Sequence, residues 1–89
     1  MKIITRTSQF KKDYKLMSKR GKKTEKLDFV IRKMFNNEKL DPKYKDHILI
    51  GPFKGRRECH IEPDWLLIYR IEGDELMLER TGSHSDLFD

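Results

Sequence analysis

The apolar positions of this chain keep a helical period up to Phe35 and an alternating one after it, so the sequence divides into two halves. Lys2 to Thr5 is a short β-like start with Ile3-Ile4 as its apolar pair. Phe10, Tyr14 and Met17 then fall at i, i+4 and i+7, one face of a helix with lysines opposite. Ser8 is expected to cap its start. Lys19-Arg20-Gly21 should end it, with cations near the C-terminal dipole and glycine at the left-handed position. Leu27, Val30, Ile31, Met34 and Phe35 make a second, stronger stripe that Asn36-Asn37 stops. The short link around Gly21 predicts an antiparallel helical hairpin.

The second half changes period. Residues 38–46, with Pro42 and several charges, read as a loop, and His47-Ile48-Leu49-Ile50 as a short strand or the approach to one. Gly51-Pro52 should turn the chain, and Phe53-Lys54-Gly55 lead into a strand at Arg56–Ile61. Alternation there puts Arg57, Cys59 and Ile61 on one side and Arg56, Glu58 and His60 on the other. After a Glu62-Pro63-Asp64 corner, Trp65 to Ile71 is too apolar to have one face in open water. Gly73-Asp74 is a hairpin turn that brings back Glu75–Arg80, pairing Ile71 with Leu76 and Tyr69 with Leu78. Thr81-Gly82-Ser83-His84 and a tail, Ser85 to Asp89, close the chain. The expected fold is two-layer α+β, a helical hairpin covering one face of a mainly antiparallel twisted sheet. The other face is expected to be concave, carrying Arg80, with the histidines at its rim.

Composition narrows the class. Eighty-nine residues make one domain, 1–89, with a modest core. The lone Cys59 favours a reducing cytoplasm and reads as a small core residue, and no apolar run of signal or membrane length marks the chain for export. Residues 1–37 hold twelve Lys and Arg against three Asp and Glu, a balance of +9; residues 38–89 hold eight against twelve, a balance of −4. A cationic half suits a polyanion such as RNA or DNA, and equally suits a solvated helix surface.

The candidate chemistry gathers at Glu58-Cys59-His60-Ile61-Glu62-Pro63-Asp64-Trp65, flanked by His47 and His84. The histidines lie thirteen and twenty-four positions apart, without the tight pairs of a zinc site, so no metal or other cofactor is expected. Metal-free RNA cleavage needs a base for the ribose 2′-hydroxyl and an acid for the departing 5′-oxygen. Imidazoles, with an ordinary pKa of about 6.5, serve as either at neutral pH. Arg80 or Arg57 could hold the phosphate, and Trp65 or Phe88 could stack on a base. Taken singly, each also has an ordinary reading: His47 as a loop histidine, Trp65 as a core aromatic, Arg80 as a strand-end charge.

Lys45-Asp46-His47, Gly51 through Gly55, Glu58 through Trp65, and Glu79-Arg80-Thr81-Gly82-Ser83-His84 followed by Leu87-Phe88 together resemble the YafQ branch of the RelE-like toxins. The resemblance implies a single RelE-like domain and a toxin of a bacterial type II toxin–antitoxin pair, cleaving messenger RNA without a metal, commonly in the ribosomal A site. It implies His47, His60, Asp64, His84 and Phe88 as functional positions, with Trp65 and Arg80 in supporting places. His84 is then the expected principal proton-transfer residue, and Asp64, a corner carboxylate beside cations, is expected to orient a histidine rather than act as the base. The implied partners are an acidic antitoxin, messenger RNA and the ribosome with its 16S RNA. The alternative from another class is a non-enzymatic binder, a gyrase-inhibiting relative of the ParE toxins or a basic RNA-binding module. Three histidines gathered on the sheet half argue against it.

Overall fold

In the computed structural model, residues 1–51 and 55–88 are described; the expected turn at Pro52 and lead-in at Phe53-Lys54, like the final Asp89, lie outside them. The elements are β1 (Ile3–Arg6), α1 (Ser8–Lys19), α2 (Thr24–Phe35), a 3-10 turn (Pro42–Tyr44), β2 (His47–Ile48), β3 (Arg57–Glu62), β4 (Trp65–Glu72), β5 (Glu75–Gly82) and α3 (His84–Phe88). Phe10 and Met17 of α1 and Leu27, Val30, Ile31 and Met34 of α2 are buried, so each helix turns its predicted stripe inward. The apolar face is what fixes these helices, since twelve residues are too few for an isolated helix to persist in water.

The cap of α1 differs from expectation. Thr7, not Ser8, accepts from the Phe10 amide at 2.9 Å. The Thr7 hydroxyl also donates to the Glu79 carbonyl at 2.7 Å. Thr7 stands where the chain leaves β1 and faces β5, so one hydroxyl serves the helix end and the sheet edge together. At the other end Gly21, at φ +80°, lets Lys22 N reach Met17 O at 3.0 Å, a left-handed closure as the sequence indicates.

The sheet order is β1-β5-β4-β3-β2. β2, β3, β4 and β5 are antiparallel neighbours, whereas β1 runs parallel to β5. The β4–β5 hairpin has the predicted register, with Ile71 opposite Leu76 and Tyr69 opposite Leu78. Beyond that point the register shifts. Ile68 faces Arg80, which makes Glu79 an extra residue on β5. Unbroken alternation from Leu76 and Leu78 would aim Arg80 at the core; the bulge puts Thr81 opposite the core residue Leu67 instead. Thr81 is buried, accepts from Trp65 Nε1 at 2.9 Å and donates to the Leu66 carbonyl at 2.7 Å. Trp65, Leu66, Leu67, Ile68 and Tyr69 are all buried, as an apolar central strand should be.

β1 covers β5 only as far as Leu78, which leaves the outer edge of the bulged segment without a strand. α1 closes it. The buried Asp13 carboxylate accepts from Thr81 N at 3.2 Å, Arg80 Nε at 2.8 Å and Gln9 Nε2 at 2.9 Å. A buried charge is tolerable only with such partners. Asp13→Ala should therefore strand Arg80 and the Thr81 amide and cost about 3 kcal/mol, read as a fall in the midpoint of urea unfolding at unchanged m-value.

A histidine–carboxylate candidate active site

Cross-strand register assembles the site. On β3, Glu58 lies opposite Ile68 and His60 opposite Leu66; on the far side of β4, Ile68 lies opposite Arg80 and Leu66 opposite Gly82. Two rows thus cross the sheet, Glu58–Ile68–Arg80 and His60–Leu66–Gly82. β2 adds His47 beside Glu58, and the chain after Gly82 adds His84. The imidazoles form a chain, with ring centres 6.3 Å apart from His47 to His60 and 5.8 Å from His60 to His84. Phe88 continues it, 6.4 Å from His84.

Each imidazole has an oxygen partner. The His84 Nδ1 is 2.6 Å from Asp64 Oδ1, which also accepts from the His84 backbone amide at 2.9 Å. These two bonds hold the Asp64 carboxyl below the usual range, so it stays ionised and Nδ1 carries the proton. That leaves Nε2 of His84 for other work. The His47 Nδ1 is 2.7 Å from the Lys45 carbonyl, an oxygen that can only accept, so this nitrogen also carries its proton. His60 Nε2 lies 3.2 Å from Glu58 Oε1, and His47 Nε2 lies 3.7 Å from the same oxygen.

Glu58 joins the site although the sequence reading gave it no role there and named Asp64 as the carboxylate that orients a histidine. The Glu58 side chain is only 7% exposed and faces two imidazoles. Alternation had already set it on the face of His60, but its burial depends on β2, which pairs with Arg57 and Glu58. Glu58, His60 and His84 also present ligand atoms all within 4.8 Å of one another, a constellation that could hold a metal ion and that their wide spacing in sequence concealed.

Two expected substrate contacts lie elsewhere. Trp65 is fully buried in the core, where a nucleobase cannot reach its ring. Arg57 pairs with Tyr69 on the core side of the sheet, away from the histidines; its Nη2 is 3.2 Å from Asp46 Oδ2, and Tyr69 donates a short hydrogen bond to the same carboxylate. The reason is parity, since Arg57 alternates with Cys59 and Ile61. This trio instead ties Asp46, and so the segment bearing His47, to the sheet. Arg80 lies in the Glu58 row with its Nε on Asp13 and its side chain about one-third exposed. Cys59 is buried, and burial pushes its thiol pKa upward, as befits a core residue.

The expected tail is a short helix. Ser83 and Asp86 cap each other, Asp86 Oδ2 accepting from Ser83 N at 2.9 Å and Ser83 Oγ from Asp86 N at 3.1 Å. The Ser83-x-x-Asp86 spacing was a legible signal for this. Arg20 then pins Asp86 to the end of α1, Nη1 to Oδ2 at 2.6 Å.

The comparisons with known proteins agree with this architecture. The E. coli K12 protein "mRNA interferase toxin YafQ" is 45% identical over 86 residues, covering 96% of this chain and 94% of that protein. The toxin fold recurs in the crystal structure of the E. coli DinJ–YafQ complex, with a TM-score of 0.93 and 43% identity over the whole of both chains. It recurs also in a metal-bound toxin from Helicobacter pylori, with a TM-score of 0.91 and 43% identity over 99% of this chain and 100% of that one. A two-layer α+β fold with clustered histidines thus places the chain among small bacterial toxins. Residues 2–89 match the model of the YafQ toxins, described as bacterial toxins of type II toxin–antitoxin systems, and the chain belongs to that family.

The docking of α3 can be tested directly. A Cβ on Gly82 would come 2.9 Å from Asp86 Cβ, so Gly82→Ala should displace α3 and break the His84–Asp64 contact. Loss of exchange protection at the Leu87 amide, which bonds Ser83 O at 3.1 Å, would report it. Arg20 and Ser83 hold the Asp86 carboxyl well below the usual range. A depressed folded-state value means this contribution is complete above the ordinary aspartate value of about 3.9 and is lost as pH falls beneath it. Protection of Leu87 should accordingly decline below about pH 4 in the wild type, and Asp86→Asn should reduce that pH dependence to the part that the Asp64–His84 contact supplies.

Proposed function

We propose that this chain is the toxin of a type II pair and an endoribonuclease that cleaves messenger RNA, on the ribosome, in the cytoplasm. The observation that carries the reading is the chain of three imidazoles whose outer members each have Nδ1 tied to an oxygen, leaving Nε2 available. One such nitrogen takes the proton of the ribose 2′-hydroxyl. The freed oxygen attacks the adjacent phosphorus, and a second imidazolium gives a proton to the departing 5′-oxygen, leaving a cyclic phosphate. His84 is the principal proton-transfer residue, with Asp64 holding its tautomer and orientation as a carboxylate does for a catalytic imidazole. His47 and His60 share the remaining transfer and phosphate contact, with the Glu58 carboxylate between them. Arg80, in the next row, offsets charge on the phosphorane, and Phe88 lies beside His84 to contact a base. Support from outside the chain is the family itself and the printed name of the E. coli relative.

The partner follows the same logic. The E. coli relative is found in complex with DinJ, and this chain is proposed to meet an acidic protein antitoxin through the cationic residues 1–37. Steered association of this kind is fast and salt-sensitive. Stopped-flow on-rates should fall at least about tenfold between low and high ionic strength; a flat profile would count against electrostatic steering.

A metal fits the site as well, because Glu58, His60 and His84 offer a carboxylate and two imidazoles, and the H. pylori relative is metal-bound. A bound divalent ion would supply Lewis-acid charge there. It would also occupy imidazole nitrogens that proton transfer needs. Cleavage should hence persist in EDTA and be suppressed by added zinc.

His84→Ala should lower cleavage by ~10²–10⁴ while leaving melting temperature and antitoxin affinity close to wild type, since the side chain is 53% exposed and supports no core. Full cleavage by a folded His84→Ala protein would move the mechanism to His47 and His60. Intact RNA with inhibited gyrase would favour the ParE-like alternative.

A further inference from the structure

A groove of about 420 Å³ leads from His60 along the 3-10 turn, walled by Lys26, Lys43, Tyr44 and Lys45. It exists because β2 pairs only with Arg57 and Glu58, leaving the rest of the outer edge of β3 to the 3-10 turn. Its carboxylate, Glu62, is already neutralised by Lys22 at 3.1 Å and Lys26 at 2.9 Å, and Lys26 and Lys22 together hold its pKa down. Lys43 and Lys45, by contrast, have no carboxylate partner among the described residues. The Lys43 Nζ stands 5.3 Å from the centre of the half-buried Tyr44 ring.

Lys45 is the telling residue. It sits at φ +48°, ψ +45°, a left-handed conformation that glycine or asparagine adopts more readily. Its carbonyl holds the His47 Nδ1, and the residue itself lines the groove. A turn built only to present a carbonyl would accept glycine here; lysine adds a cation next to the histidines.

We propose that this groove seats the RNA nucleotide flanking the scissile phosphate, its base against Tyr44 and its phosphate between Lys43 and Lys45. The proposal rests on the ribonuclease reading and extends it to residues that neither the histidine cluster nor Arg80 includes. Cations without a carboxylate partner beside an aromatic wall are what a single-stranded nucleic acid requires, backbone neutralisation and a stacking surface together. An acidic peptide would use the same lysines but would be indifferent to the base.

The test is a cycle between protein and RNA. Cleavage of a defined message is measured in the format in which the wild type cleaves, with either nucleotide flanking the scissile bond replaced by an abasic ribose. For the wild type, one of the two replacements should reduce kcat/KM about 5- to 150-fold, the range of one base–aromatic stack. In Tyr44→Leu that penalty should shrink to within about twofold, while Tyr44→Phe should keep it. Lys43→Gln/Lys45→Gln should raise KM more than it lowers kcat and reduce the log–log salt slope by about 0.7, one single-strand phosphate. Melting temperature and antitoxin affinity are followed for each variant, and the lysine pair decides the matter if Tyr44→Leu does not fold. An abasic penalty equal in wild type and Tyr44→Leu, or an unchanged salt slope in the lysine variant, overturns the groove while leaving the nuclease intact. A wild type that cleaves no RNA overturns the nuclease reading itself.

Discussion

The carboxylate of Asp13 lies under the unpaired edge of β5, where α1 takes over from the short β1, and receives hydrogen bonds from Gln9, Arg80 and the Thr81 amide. Without it the bulged end of β5 would present bare amides to solvent and a guanidinium without an anion. With it, Thr81 is held inward to accept from the Trp65 indole N–H and to donate to the Leu66 carbonyl. Trp65 opens β4 and Asp64 precedes it, so the position of the corner is tied to the end of β5. Only then does the chain leaving Gly82 pass close enough for His84 to meet Asp64.

Gly82 is the second constraint in that sequence. It occupies the row of His60 and Leu66, where a side chain would collide with Asp86. Its bare backbone lets α3 fold back against β5, and Ser83, Asp86 and Arg20 then fasten a helix too short to persist alone. The histidine proposed for proton transfer is thus carried by the least self-sufficient element of the fold. Its precision comes from polar contacts to Ser83 just after β5, to Arg20 at the end of α1 and to Asp64 at the β3–β4 corner.

The arrangement also sorts the cations. Arg56, Arg57 and Arg80 on the sheet are each paired with a carboxylate, Glu79, Asp46 and Asp13 respectively. Guanidinium suits such sites, because its planar fork matches a carboxylate and half-burial does not discharge it. Lysines, more strongly hydrated and more mobile, make up most of the charge left for a polyanion. Arginine therefore contributes mainly to the integrity of this fold.

Hydrophobic periodicity determined the two helices, their buried faces and the apolar central strand, and with the Gly73-Asp74 turn it determined the β4–β5 register as far as Tyr69 and Leu78. Those features follow from local spacing, which the chain carries in one dimension. The three histidines and Asp64 were legible too, as residue types near a Pro-Asp corner and through their likeness to a toxin family. What spacing could not supply was anything decided by a register shift or a long-range partner. The bulge at Glu79 converted Arg80 from a simple alternating position into the mate of Asp13, sixty-seven residues away. Parity sent Arg57 to the core side, burial removed Trp65 from reach of a base, and the two-residue β2 enclosed Glu58 between His47 and His60. A single inserted residue in a strand exchanges its two faces, and whether the insertion is tolerated depends on the helix that satisfies the exposed edge. That energy belongs to tertiary contacts, and it was settled only when α1 closed over β5.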